Sequence, residues 1–186
     1  MIMRFPLSDR LVLPSVFERF VPGQLHPDGR RYLPLIVLRP TQIGATGGVS
    51  ALGVVDRHHV VDPQLVGCAG VARLVFLLSG VRLQESAPRQ DLVAEASLPD
   101  GRASTMPIAY GQVIAVPSWE AEHEHLPYES LYTELLLDIG IGVIGVRTSV
   151  TAASLAETIG RPRIEPGDWL EVRRSRVDIL GFEAAT

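Results

Sequence analysis

The sequence contains no lysine and no asparagine; all 17 of its basic side chains are arginine. Without lysine the chain cannot form a Schiff base, build a phosphate-cradling P-loop or run a Ser–Lys dyad. Without asparagine it offers no N-glycosylation sequon and no Cys–His–Asn triad. The single cysteine, Cys68, excludes an intrachain disulfide and any multi-cysteine zinc or iron–sulfur site. It stands in LVGCAGVARL, among small and apolar neighbours, where a cysteine acts as a small hydrophobe. No basic residue adjoins it to lower the thiol pKa. No stretch reaches the roughly 18 apolar residues of a membrane-spanning helix. The opening MIMRFPLSDRLVLP lacks the continuous apolar centre of a secretory leader. These absences predict a cytoplasmic protein with no membrane span.

What is present points to β structure. Over 186 residues, 46% are apolar and 20% charged, which suits one globular domain spanning residues 1–186. Glycine (17) and proline (14) are frequent without a period, as in folds of many short strands and turns. A formal charge of −4 predicts no general affinity for nucleic acid or anionic lipid. Tyr32 to Arg39 reads as a strand, and Pro34 marks it as an edge. Val49 to Val61 and Val71 to Leu83 are rich in Val and Leu without helical period. Asp91–Leu98 and Arg102–Val116 meet across Pro99-Asp100-Gly101, the clearest hairpin signal in the chain. The same turn chemistry occurs in Pro27-Asp28-Gly29-Arg30. Tyr128 to Asp138 reads as a short helix and Ile141 to Val150 as extended. A second helix, Ala152 to Ile159, is capped by Thr151 and stopped by Gly160 and Pro162. Pro166-Gly167-Asp168 then turns the chain into a last strand, Trp169 to Phe182. The expected fold is mainly β: an antiparallel barrel or sandwich with two short helices in the C-terminal third, an α+β arrangement being the alternative.

Three constellations carry possible chemistry. Gly140-Ile-Gly142-Val-Ile-Gly145 is a literal GxGxxG, but Val146, Thr148 and Val150 follow where a dinucleotide-binding fold would open a helix. His123-Glu-His125, with Glu129 beyond, would put both imidazoles on one side of a strand with a carboxylate to complete a metal triad. Those three residues resemble the first metal-binding motif of the cupins, and the resemblance implies a divalent transition metal. The alternative for them is a solvated acidic loop bracketed by Pro117 and Pro127. His58-His59 lies in an expected strand, so only one imidazole could join such a site. Arg173, Arg174 and Arg176 alternate along the last strand, which puts Arg174 and Arg176 on one face and Arg173 on the other. Pairing with carboxylates, or cover for apolar surface, is the expectation for all three.

Ser130-Leu-Tyr132, a glycine-containing segment, Leu155 to Gly160, Pro166-Gly167-Asp168 and the strand Trp169–Asp178 resemble the later half of UTRA effector-binding domains. That family, with its chorismate-lyase-like fold, senses small molecules beside a DNA-binding helix-turn-helix. The resemblance therefore implies a small-molecule ligand. It covers about a third of the chain, and no helix-turn-helix precedes it.

The leading expectation is a non-catalytic β-scaffold that works through self-association or a binding surface, as a homo-oligomer or a subunit of a larger assembly, with no cofactor. A metal-dependent enzyme using His123, His125 and Glu129 is the first alternative, and a small-molecule sensor of the UTRA type is the second.

Overall fold

The computed structural model describes residues 8–116, 133–148 and 152–186. Among the described residues nine strands form one mixed sheet: β1 (Leu13–Val21), β2 (Leu35–Pro40), β3 (Leu52–Val55), β4 (Ala69–Leu83), β5 (Asp91–Val93), β6 (Ile108–Ala115), β7 (Thr133–Asp138), β8 (Val143–Thr148) and β9 (Trp169–Ala184). The sheet closes on itself twice. β1, β2, β3, β9 and β4 form a first five-stranded ring, closed by the β1–β4 pairing. β4, β8, β7, β6 and β9 form a second, closed by the β6–β9 pairing. β5 pairs with the start of β6, Ile108 to Tyr110, on the edge that faces away from β9.

Both rings share one long antiparallel ribbon, β4 with β9, paired from Gly70↔Ala184 to Leu83↔Leu170. The mainly β class is as the composition implies, although the sheet is mixed: β3 runs parallel to β9 and β4 parallel to β8. One buried apolar cluster fills both rings, from Phe17, Ile36 and Leu38 to Leu135, Ile144 and Val172. Among the described residues, no helix is long and apolar enough to cross a membrane.

Several expectations need correction. Thr133–Asp138 is strand, not helix, and residues 128–132 lie outside the described residues. One short α-helix is described, α1 (Ala152–Thr158), and the chain leaves it through Gly160 at φ 71°. β2 is an interior strand, flanked by β1 and β3. Pro34 precedes it, so its missing N–H removes no ladder bond, and its carbonyl accepts from the Asp56 amide at 3.1 Å. His58 and His59 lie in an exposed turn, not a strand; the buried Asp56 carboxylate organises that turn by accepting from the Val60 and Val61 amides.

Both Pro-Asp-Gly segments are turns. Gly29 has φ 85° and Gly101 φ 74°, with open space where a side chain would stand. The first closes the tip of the β1–β2 connection, through His26 N–H to Arg30 O at 2.7 Å. The second lies in a longer excursion between β5 and β6 that reaches β3, where Ser104 bonds to Ala51 and Gly53. Because the strain is conformational only, Gly29→Val and Gly101→Val are each expected to cost about 1 kcal/mol or more. Denaturant midpoints measure this; unchanged midpoints in both variants would show that the turns relax without cost.

Candidate functional site

The GxGxxG segment is accounted for by the fold. Asp138 pairs with Val143 across a hairpin turn, and Gly140 (φ 83°) donates its N–H to the Asp138 carboxylate. A Cβ on Gly142 would lie 2.3 Å from the Val12 carbonyl, so glycine there permits close approach of the segment before β1. These glycines serve a turn and a packing contact, with no helix opening behind them.

On β9, Ser175 is bulged: Arg174 pairs with Leu78 and Arg176 with Leu77. The bulge resets the alternation, so Arg174 and Arg176 do not share a face as the sequence suggests. Arg174 is 5% exposed and turned inward. Its Nε and Nη2 have no hydrogen-bond partner among the described residues, and burial lowers its pKa against the opposing charge of Glu95. Arg176 makes a bidentate pair with Asp178 at 2.6 and 3.0 Å, and Arg173 bonds Glu171 at 3.2 Å. The expected carboxylate pairing holds for these two.

Beside Arg173, at the end of the second ring, lies a cleft of about 590 Å³. Register builds it. Arg82 of β4 stands opposite Glu171 of β9, which stands opposite Tyr110 of β6. Glu171 is 5% exposed, and its Oε2 accepts from Arg82 at 2.8 Å (Nε) and 2.6 Å (Nη2). That bond and charge hold the Arg82 guanidinium above its ordinary pKa. The connection from β4 to β5 forms the rim. The Gln84 side chain accepts from the Arg89 amide at 2.9 Å and donates to the Arg89 and Leu170 carbonyls at 3.1 and 2.9 Å. This clamp fixes the Arg89 backbone, and Ala87 within it has φ 47°. The Arg89 guanidinium then lies over the Tyr110 ring, 4.0 Å from its centroid. Thr158 and Ile159, at the end of α1, complete the wall.

The cleft therefore presents two guanidinium groups around one phenol ring. Arg82 has Nη1 free of partners among the described residues, and Arg89 has only a 4.0 Å approach to Asp91. Paired donors of this kind match a carboxylate or phosphate. Sequence reading missed Arg82, Arg89, Tyr110 and Glu171, which lie in three separate segments. The only available signal was the charge alternation of Glu171 and Arg173 on one side of the last strand.

His123, His125 and Glu129 lie outside the described residues. Among the described residues, no three His, Cys, Asp or Glu side chains gather as a metal site requires. Compared with protein-family models, curated proteins and solved structures, the chain matches none.

Proposed function

We propose that this chain is a non-catalytic binding domain that takes a small anionic ligand, bearing a carboxylate or phosphate, in the cleft between β6, α1 and the β4–β5 connection. The observation that carries this reading is Arg89: its backbone is clamped by Gln84 and its guanidinium is stacked on Tyr110. A cation held in this way loses little freedom on binding, which favours recognition. Glu171 orients Arg82 toward the same space while leaving one end of it unspent. Two guanidiniums and a phenol hydroxyl supply donors without a nucleophile–base pair, so the arrangement suits holding an anion.

The test is a thermal and calorimetric titration of the full chain with citrate and with inorganic phosphate. A ligand at a hundred times its Kd is expected to add about 2.7 kcal/mol of stability. Arg89→Met and Arg82→Met are expected to weaken binding, each by about tenfold or more, since a charged hydrogen bond is worth roughly 1.5–3 kcal/mol. No heat and no shift with either anion, or equal binding in both variants, would overturn the reading.

A further inference from the structure

We infer that the outer face of the first ring, from a groove beside β1 and β2 to the tip of their connection, binds single-stranded nucleic acid. This surface is separate from the cleft and does not depend on the reading given for it. The β1–β2 connection continues as a narrow ribbon beyond the ring. Tyr32 N–H donates to Gln24 O at 2.9 Å, Leu25 pairs with Arg31, and Pro27-Asp28-Gly29 closes the tip. Residues Gln24 to Leu33 are all exposed, with Leu25 at 62%, Tyr32 at 59% and Leu33 at 41%. The His26 ring meets Tyr32 edge-to-face, centroids 5.6 Å apart, which supports the phenol ring from one side.

Around this aromatic group the charge is positive. Asp28 is engaged within the turn, its Oδ1 accepting from the Arg30 amide at 2.9 Å. The Arg30 and Arg31 side chains have no hydrogen bond or ion pair among the described residues. Arg19 is likewise unpaired, in a groove of about 450 Å³ that it shares with Val16, Val37 and the Glu18–Arg39 ion pair. The formal charge of −4 conceals a division along the chain. From Ser8 to Leu83, eight arginines stand against five Asp and Glu, whereas from Gln84 onward eight stand against sixteen. On the described surface of the first ring, Arg19, Arg30 and Arg31 are exposed cations that would draw a polyanion.

Exposed aromatic surface among unpaired arginines is the chemistry that holds unstacked bases on a tracked backbone. Fold alone assigns no function, and the charged and aromatic residues carry the inference.

The test is fluorescence anisotropy of the full chain with a labelled oligo-dT of about twenty nucleotides, against a duplex of equal length and against heparin. Tighter binding to the single strand than to duplex or heparin is expected, with log K falling by roughly 0.7 per neutralised phosphate for each unit of log salt. Arg30→Gln with Arg31→Gln is expected to flatten that slope by about 1.4. Tyr32→Ala is expected to weaken binding about 5- to 150-fold, with Tyr32→Phe retaining most of it. These side chains are exposed, so circular dichroism is expected to show all three variants folded. No binding at low salt, equal binding to heparin, or no effect of the tip variants would overturn the inference. Sedimentation showing a dimer that Tyr32→Ala disperses would overturn it too, by assigning the tip to a second copy of the chain.

Discussion

Replacing Phe76 by alanine is expected to lower the unfolding free energy by about 3–5 kcal/mol and to leave one cooperative transition. Phe76 is fully buried on β4, paired with Val177 of β9 and Val146 of β8. Its side chain belongs to the buried apolar cluster that fills both rings, so truncation removes contacts from their common core. Far-ultraviolet circular dichroism should lose β signal in the same denaturant interval as the fluorescence of Trp169, at the start of β9. Two separated transitions would show that the rings unfold independently, against a single apolar cluster.

The second large effect is on pH. Glu134 of β7 is 1% exposed and stands opposite Arg147 of β8, whose Nε bonds its Oε1. Its Oε2 has no partner among the described residues. Burial raises the carboxyl from 4.5 to about 7, the charge and hydrogen bond of Arg147 opposing the rise. Between those values the folded chain holds a proton that the unfolded chain has released. This group's contribution is therefore full below pH 4.5 and is lost as pH rises through about 7. At about 1.4 kcal/mol per pKa unit, the loss is about 3 kcal/mol. Glu134→Gln cannot titrate, so wild-type stability relative to that variant should fall by this amount from about pH 4 to about pH 8. Other carboxylates act alike in both proteins and cancel. A constant difference across that range would show Glu134 ionised throughout.

Local features were legible in the sequence where one segment decides them. Gly29, Gly101 and Gly160 sit at positive φ where turn and cap chemistry places them. α1 and β9 begin close to the predicted residues. β7 was misread for a physical reason. Leu135 and Leu137 face the main core, while Leu136 faces a second buried cluster with Leu11 and Val75. A strand buried on both sides loses its period-two pattern and resembles a short buried helix. The cleft was illegible because its row of side chains is set by pairing between residues 82, 171 and 110. No local pattern encodes that pairing, and the Ser175 bulge shifts the alternation that the sequence offers instead.

The shared ribbon also has a consequence in time. Of the described strands β9 is made last, and it supplies a wall to each ring. During synthesis β1 can pair with β2 and β4, β2 with β3, β8 with β4 and β7, and β7 with β6, yet neither ring can close. Closure waits for residues 169–184 to leave the ribosome, more than 80 residues after β4. Pairings over such separations form slowly, because a long loop must be ordered before any contact offsets its entropy. A nascent chain of this protein thus exposes one long open sheet, from β3 through β4 to β6, and gains both barrels in a single late event.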